Sequence, residues 1–260
     1  MDWADNIFVR NAKLYELVLE GMSERGEEDA VAISSYLSEK GLKGCRILDI
    51  PCGIGRVGIP LARLGFEVVG MDLSPHLVDV AAKKASNFKL GKASFLVGDM
   101  RDLSGRFETH SFDVVLNVFT SIGYGSEADD LGFFHDALKV TKPGGMLIIS
   151  GLRNRDYIVR NPSQNVYEES RRVLVLDRYT FDPARSREKG NWRFYLKQGK
   201  GGETLRFAGE FPTDIRVYSP HELVSRLETT GWKVKGTFES LTSRAPSKAE
   251  SPVYALVAEA

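Results

Sequence analysis

The residues best suited to bind a charged ligand cluster around a glycine-rich segment in the first quarter of the chain. Gly53, Gly55 and Gly58 follow the apolar run RILDI with the spacing G-x-G-x-x-G, and Asp72 ends the next apolar run. Glycine lets a backbone approach a ligand closely. The nineteen residues from Gly53 to Asp72 match the separation at which a strand-end carboxylate accepts hydrogen bonds from a ribose. The pattern indicates a nucleoside cofactor, with a nicotinamide dinucleotide and S-adenosylmethionine both open at this point.

Two further acids distinguish between these two candidate cofactors. Asp49 lies in the strand before the glycine loop, where a carboxylate would repel a pyrophosphate but suits the ammonium of a methionyl group. Asp99 ends a later strand in VGDM and could accept a hydrogen bond from an adenine amino group, with Met100 beside the ring. The Tyr-x-x-x-Lys pattern at residues 36–40 precedes the first strand, where a reductase would not place its catalytic pair. These features favour S-adenosylmethionine.

Strand and helix signals alternate along most of the chain. Apolar runs predict strands at 46–50, 67–72, 93–99, 112–118 and 146–150. Helical patterns occupy 57–65, 75–87, 131–140 and 219–231, and runs at 232–238 and 253–259 could form a closing antiparallel pair. Such alternation is typical of a parallel sheet with helices on both faces. We therefore predict an α/β fold with a doubly wound, mostly parallel sheet of seven strands.

Two segments depart from this alternation. Residues 1–44 predict N-terminal helices, with apolar stripes at Leu14, Val18 and Met22 and at Val31, Ala32, Tyr36 and Leu37. Residues 152–218, after the fifth strand, contain short β-like runs, ten aromatic residues, and fourteen Lys and Arg against nine Asp and Glu. We predict a helical cap at 1–44, a core at 45–151 and 219–260, and a β-rich, substrate-covering insertion at 152–218. A basic, aromatic insertion suits an anionic or planar substrate, with an ordinary solvated surface as the alternative.

The motifs taken together resemble those of class I S-adenosylmethionine-dependent methyltransferases. DIPCGIGR, GMDLS, GDM, DVVLNVFTSIGY and LKVTKPGGMLIIS are similar, in order, to the first five motifs of that family. The resemblance runs from about Cys45 to Ser150 and resumes at Ser219. It implies a Rossmann-like fold, S-adenosyl-L-methionine as cofactor and S-adenosyl-L-homocysteine as product. It also implies methyl transfer to a nitrogen or oxygen atom of a small molecule.

The resemblance and the side-chain chemistry together assign the cofactor contacts. Asp49 and the loop backbone would hold the methionyl group, and Asp72 would bind the ribose. The adenine would pack on Leu73, and Asn117 would present its carbonyl to the methionyl amine. The full expected set is Asp49, Pro51, Cys52, Gly53, Gly55, Asp72, Leu73, Asp99, Met100 and Asn117. Turn or cap roles are the alternatives for Asp99 and Asn117, and Cys52 is expected to be a small buried residue.

The sequence reveals the catalytic residue poorly. A sulfonium leaving group is already activated, so the protein mainly needs to align the reactants, and a base is required only when the nucleophile arrives protonated. Tyr124, His135 and Tyr157 are candidates for orienting the substrate or removing a proton, with a helix-surface position as the alternative for His135. The aromatic residues Trp3 and Phe8 either cover the cofactor or dock the N-terminal helix.

Composition excludes several other classes. Lys and Arg equal Asp and Glu at 35 each, so the chain lacks the overall field that attracts nucleic acid or membrane, although the basic insertion keeps RNA open. The two cysteines indicate neither a disulfide framework nor a metal site. No apolar run is long enough to span a membrane, and a cytoplasmic location is expected. An RNA- or protein-modifying methyltransferase and an NAD-dependent oxidoreductase are the alternative functions. The acceptor and the oligomeric state are not predicted.

Overall fold

Helices and strands alternate as the sequence predicted over most of the chain. The structure is a computed structural model that describes residues 2–119, 121–199 and 201–260, without the side chains of residues 2 and 163–168. The helices are α1 Asp2–Asp5, α2 Ala12–Gly21, α3 Ser23–Glu39, α4 Gly58–Arg63, α5 Pro75–Asn87, α6 Glu127–Val140, α7 Arg155–Arg160 and α8 Pro220–Thr229. The first six strands are β1 Arg46–Asp49, β2 Glu67–Asp72, β3 Ala93–Val97, β4 Phe112–Val118, β5 Thr141–Arg153 and β6 Ser163–Glu169. They are followed by β7 Val173–Asp182, β8 Arg187–Gln198, β9 Thr204–Arg216, β10 Lys233–Phe238 and β11 Val253–Glu259.

A seven-stranded sheet forms the core, in the order β10-β11-β5-β4-β1-β2-β3. The five strands β1 to β5 pair in parallel, whereas β11 is antiparallel to both β5 and β10. The predicted doubly wound, mostly parallel fold and the closing antiparallel pair are confirmed. The strand order reverses between β1 and β4, and in open α/β sheets ligands bind beyond the carboxyl ends of the strands at such a point.

Helices cover both faces of this sheet. On one face, α6 and α8 contribute Phe133, Phe134 and Leu223 to a core with strand residues such as Val115. On the other face, α3 and α4 pack residues such as Ile33 and Leu61 against the sheet. Both faces of the central strands are therefore buried, which explains why these strands read as nearly continuous apolar runs.

The N-terminal segment differs from its prediction at one residue. The predicted stripe included Val31, but that side chain is 60% exposed, whereas Ala30, Ile33 and Leu37 are fully buried. These three positions recur at helical spacing along one side of α3, and Val31 lies about 100° around the helix from Ala30. The assignment of Val31 to the buried face was wrong for this reason.

Strands β6 to β9 form a separate antiparallel sheet, which is the predicted β-rich insertion. Burial alternates along β7 and along the second half of β9, so one face of this sheet points toward the core. The boundaries differ slightly from those predicted, because β5 continues to Arg153 and pairs there with Val253 of β11. The sheet itself spans Ser163–Arg216, and β6 lies in a stretch for which no strand was predicted.

Helix α6 begins four residues earlier than predicted. The Ser126 side chain accepts a hydrogen bond from the Asp129 N–H, and the Asp129 carboxylate accepts one from the Ser126 N–H. This capping box satisfies two backbone donors at the start of the helix. The prediction relied on the apolar run from Leu131 and overlooked the polar first turn.

Candidate cofactor and acceptor site

Asp72 fastens the glycine loop to the end of the neighbouring strand β2. Its carboxylate is buried, with Oδ2 accepting the Gly53 N–H at 2.9 Å and Oδ1 accepting the Ser74 N–H at 2.9 Å. Gly53 has a φ of 53°, a conformation that glycine adopts without a steric penalty. Burial raises the pKa of Asp72, and the two N–H donors oppose that shift. Each oxygen has a further lone pair, so the predicted contact with a ribose has two acceptors available.

Asp49 lies behind the loop and does not line the cavity. The side chain is buried at the end of β1, and its Oδ2 has no hydrogen-bond partner among the described residues. Burial raises the pKa of Asp49 to about 7, while Arg56 and the Gly58 N–H oppose the shift and Asp72 adds to it. The predicted action of Asp49 on a methionyl ammonium would therefore be exerted through its electric field across the loop.

Asp99 is held by its neighbour Arg101. Asp99 Oδ1 accepts the Arg101 backbone N–H at 3.0 Å, and the Arg101 guanidinium bonds to both carboxylate oxygens. These hydrogen bonds lower the pKa of Asp99. The residue thus caps a short 3₁₀ turn, which was the alternative assignment, and it also lines the cavity. Its contact with an adenine stays a prediction.

The glycine loop is held in its conformation by three of the predicted residues, Asn117, Gly55 and Cys52. Asn117 is fully buried, and its Nδ2 donates to the Ile50 carbonyl at 2.8 Å, so it joins β4 to the glycine loop without lining the cavity. Gly55 also lies off the cavity wall, with a φ of 74° that completes the turn. Burial raises the pKa of Cys52 well above its usual value, so its thiol stays protonated and is not a nucleophile.

These residues surround a cavity at the carboxyl ends of β1 and β4, and the N-terminal helices close it. Seven of the ten predicted cofactor residues line it, namely Pro51, Cys52, Gly53, Asp72, Leu73, Asp99 and Met100. On the opposite side, Ala4, Phe8, Tyr15 and Leu19 form its wall. Tyr15 and Leu19 also belong to a core cluster with the insertion sheet. The N-terminal segment therefore both covers the cavity and packs against the rest of the molecule.

Arg56, Phe119 and Ser121 are among the residues of this wall that the sequence reasoning missed. The Arg56 guanidinium lies 5.1 Å from the centre of the Phe119 ring and 3.5 Å from an Asp29 oxygen. The Ser121 hydroxyl donates to Met100 Sδ at 2.9 Å. All three residues lie inside the quoted motifs DIPCGIGR and DVVLNVFTSIGY, which carried the only available signal; Thr120 of the second motif lies outside the described residues.

A second cavity of about 410 Å³ adjoins the first beneath the insertion sheet. Tyr15, Phe119 and Tyr124 line both cavities, so these three side chains form the junction. The second cavity is bounded by the end of β5, by α7 and by the inner face of β7 to β9. Its walls are largely apolar and aromatic and include Tyr157, Ile158, Tyr179, Trp192, Phe194 and Tyr218.

The three candidate catalytic residues lie in different places. Tyr124 is at the junction, where its ring stacks on Phe8 with a centroid distance of 5.5 Å. Burial raises the pKa of Tyr124 well above its usual value, so the hydroxyl can donate a hydrogen bond but cannot act as a base at neutral pH. Tyr157 lines the second cavity. His135 lies on the exposed side of α6 and lines neither cavity.

Across the part of the chain that the structure describes, no group of three or more His, Cys, Asp or Glu side chains is arranged to hold a metal ion. Within those same residues, no helix is both long enough and apolar enough to cross a membrane.

The fold is that of class I S-adenosylmethionine-dependent methyltransferases. One such enzyme from Clostridium acetobutylicum superposes with a TM-score of 0.75 at 16% identity, covering 89% of this chain and 90% of that one. An S-adenosylmethionine-bound amino pentose methyltransferase from Micromonospora echinaspora gives a TM-score of 0.70 at 19% identity, covering 94% of this chain and 95% of that one.

Residues 47–145 match the family described as a methyltransferase domain. Over 121 residues the chain is 37% identical to magnesium-protoporphyrin O-methyltransferase of Rhodobacter capsulatus, covering 46% of this chain and 49% of that protein. The chain spans about half the length of the curated relatives it matches. Residues 47–145 are thus similar to a methyltransferase domain, and the resemblance predicted from the motifs is confirmed.

Proposed function

We propose that the protein transfers a methyl group from S-adenosylmethionine to a nitrogen or oxygen atom of a small molecule. The observation that carries this proposal is the direct junction of two cavities at Tyr15, Phe119 and Tyr124. Methyl transfer requires the nucleophile, the methyl carbon and the sulfur to lie in line while water is excluded. A nucleoside cavity and an acceptor cavity that share one wall can bring the reactants together in this way.

The residues of the first cavity fit this cofactor better than a dinucleotide. S-adenosylmethionine, when bound, supplies an electrophilic methyl group on a positively charged sulfur. Asp49 behind the loop and Asp72 and Asp99 on the wall surround the site with carboxylates. Their field favours a ligand with ammonium and sulfonium charges and opposes a pyrophosphate. In this assignment Asp72 binds the ribose, and Asp99 and Met100 fix the adenine edge.

The second cavity favours a small-molecule acceptor over RNA or a protein side chain. Its volume of about 410 Å³ lies within the range of roughly 300 to 1,000 Å³ that is typical of small-molecule sites. The aromatic walls suit a planar or partly apolar acceptor. An anionic acceptor is less favoured, because two arginines on the wall are already paired with acids: Arg153 lies 3.3 Å from Asp177, and Arg216 lies 2.9 Å from Glu127.

The test is transfer of labelled methyl groups to fractionated cell extract. The purified protein is incubated with methyl-labelled S-adenosylmethionine and with separate small-molecule, RNA and protein fractions. We expect label in the small-molecule fraction and formation of S-adenosylhomocysteine that depends on that fraction. If the label appears only in the RNA or protein fraction, the proposal of a small-molecule acceptor is wrong and the labelled fraction contains the acceptor. Absence of label in every fraction, together with no binding of S-adenosylhomocysteine, would overturn the proposal.

A further inference from the structure

The inner face of the insertion sheet carries two buried carboxylates at the acceptor cavity. Asp177 on β7 and Glu188 on β8 are 7% and 0% exposed. The pairing of β7 with β8 sets Asp177 opposite Trp192, and the alternation of each strand puts Tyr179 and Glu188 on the same face. Asp177, Tyr179 and Trp192 line the cavity directly. Most of the other side chains on this face are apolar or aromatic, and the two acids are its only carboxylates among the described side chains.

Polar atoms on this face lack the partners that buried groups normally have. Among the described residues, no hydrogen-bond partner is present for Asp177 Oδ1, Glu188 Oε2, Trp192 Nε1 and Thr213 Oγ1. The Trp192 N–H is placed to act as a hydrogen-bond donor toward the Asp177 carboxylate and lowers its pKa, although the contact falls short of the geometry of a full hydrogen bond. Buried polar atoms in folded proteins are nearly always hydrogen-bonded. Four such atoms lie on this face, and two of them belong to Asp177 and Trp192 on the cavity wall, which indicates that ligand atoms or bound water complete their hydrogen bonds.

The charges on this face do not balance. Arg153 at the end of β5 lies 3.3 Å from Asp177 Oδ2, bonds to Glu188 Oε1 and stacks on the Tyr179 ring at 4.7 Å. When both carboxylates are ionised, one arginine against two acids leaves one negative charge in excess. Burial raises the pKa of Glu188 to about 7 and also raises that of Asp177, while Arg153 opposes both shifts. A further cation in the cavity would stabilise both ionised carboxylates.

The other arginines on the cavity wall do not supply that cation. Arg216 lies 2.9 Å from Glu127, bonds to Glu222 and donates to the Val217 carbonyl. Arg25 is exposed on α3, where solvent screens its charge. The excess negative charge therefore faces the cavity.

We propose that the acceptor is an organic amine that binds as an ammonium ion to Asp177, with Glu188 and the surrounding aromatic rings stabilising its charge. For transfer to that nitrogen, the ammonium first passes one proton to the Asp177 carboxylate, and the freed lone pair forms the new C–N bond as the bond between the methyl carbon and sulfur breaks. The inference rests on the proposed function, because it takes the second cavity to be the acceptor site. Faces of tyrosine and tryptophan attract cations, and Tyr157, Tyr179 and Trp192 line this cavity. The cluster lies near the junction, since the charges of Arg153, Glu188 and Asp177 act on the hydroxyl of Tyr124. An amine held there is close to the cofactor cavity.

Three probes of the same size and different charge test this inference. Benzylamine, benzyl alcohol and benzoate are titrated by calorimetry into protein saturated with S-adenosylhomocysteine. We expect benzylamine to bind about tenfold or more tightly than benzyl alcohol, because a charged hydrogen bond and cation–π contacts add to the shared apolar burial. Benzoate should bind least, since its charge repels the two carboxylates.

Matched variants connect the preference to the named residues. Asp177→Asn and Glu188→Gln should each reduce the preference for benzylamine over benzyl alcohol, with the larger loss in Asp177→Asn. Glu210→Gln is the control, because Glu210 is an exposed acid on β9 that pairs with Arg193. Circular dichroism and binding of S-adenosylhomocysteine establish that each variant is folded.

The outcomes separate this inference from the proposed function. Equal binding of the probes, a preference for benzoate, or no binding of benzylamine would overturn the amine inference, even when S-adenosylhomocysteine binds normally. A full preference for benzylamine in Asp177→Asn and Glu188→Gln would also overturn it. Failure of S-adenosylhomocysteine to bind the wild-type protein would instead contradict the proposed function. If a variant fails to fold, the comparison of three probes on the wild-type protein still decides.

Discussion

Asp72 Oδ2 accepts a hydrogen bond from the Gly53 N–H at 2.9 Å, across nineteen residues of sequence. The spacing that first suggested a cofactor is therefore a physical contact in the fold. The Asp72 carboxylate holds the glycine loop in place. Its remaining lone pairs are available for the proposed hydrogen bonds to the ribose. Loop position and cofactor affinity should therefore change together when Asp72 is altered.

The first prediction concerns Asp72→Ala. Loss of a charge-assisted contact of about 2 to 3 kcal/mol should weaken binding of S-adenosylhomocysteine about 30- to 150-fold. The free energy of unfolding should also fall by about 1 to 3 kcal/mol, because the Gly53 and Ser74 N–H groups lose their acceptor. Calorimetry and urea unfolding measure the two effects. Asp79→Ala, which removes an exposed acid paired with Lys83, is the control. An unchanged dissociation constant in Asp72→Ala would limit Asp72 to a structural role.

The second prediction is a pH-dependent stability change in Asp49→Asn. Asp49 ionises near 3.8 in the unfolded chain and at about 7 in the folded protein, so the folded state holds more protons between these values. Ionisation of Asp49 therefore costs stability as the pH rises through this range, and the full cost, on the order of 4 kcal/mol, applies above about pH 7. The stability of the variant relative to wild type should rise between about pH 4 and 7 and stay constant above that range. Urea unfolding at several pH values measures the difference in the free energy of unfolding between the variant and the wild type. A difference that does not change with pH would contradict the prediction.

The third prediction replaces residues 163–216, the insertion sheet, with a short Gly-Ser linker. The seven-stranded core should still fold, because its strands pair with one another and not with this sheet. Binding of S-adenosylhomocysteine should persist but weaken, since Tyr15 and Leu19 pack on Val173 and Phe194 of the insertion. Methyl transfer to the native acceptor should be lost with the roof of its cavity. Full turnover by the trimmed protein would show that the sheet is not needed to bind the acceptor.

The fourth prediction separates two of the candidate catalytic residues. Tyr124→Phe should lower kcat for methyl transfer with little change in affinity for S-adenosylhomocysteine, because only a hydroxyl at the junction of the cavities is removed. His135→Ala should leave both quantities unchanged and alter stability by less than about 0.5 kcal/mol, as expected of an exposed helix residue. Steady-state kinetics and thermal unfolding provide the measurements. Loss of activity in His135→Ala would contradict the assignment of the site.

The cofactor half of the site could be predicted because its residues sit at strand ends with fixed local spacing. The glycine loop follows β1 and Asp72 ends β2, and parallel strands bring such ends to one edge. Arg56 was missed although it lies in the same motif, since nothing in the spacing shows that its side chain turns onto Phe119. Asp49 was expected beside the ligand, but the turn of the loop places it behind the wall.

The acceptor half could not be predicted, because it depends on pairing between distant strands. Asp177 and Glu188 lie 24 and 35 residues from Arg153 in the sequence. The register of β7 with β8 brings the two acids together on one face, where both contact Arg153. The composition of the insertion suggested a basic roof over the substrate. In the fold Arg153 and Arg216 are paired with acids, and two of the four polar atoms without a partner on the inner face of the insertion sheet are carboxylate oxygens. A count of charges does not show which of them are neutralised.

The most direct test of the central claim is calorimetry of the purified protein with S-adenosylhomocysteine and, separately, with NAD. We expect saturable binding of S-adenosylhomocysteine in the cavity formed by the glycine loop, Asp72 and the neighbouring carboxylates. Asp72→Ala should weaken this binding. NAD should give no measurable heat, because the negative field of Asp49 behind the loop and of Asp72 and Asp99 on the wall opposes its pyrophosphate. Saturable binding of NAD with no response to S-adenosylhomocysteine would contradict the account.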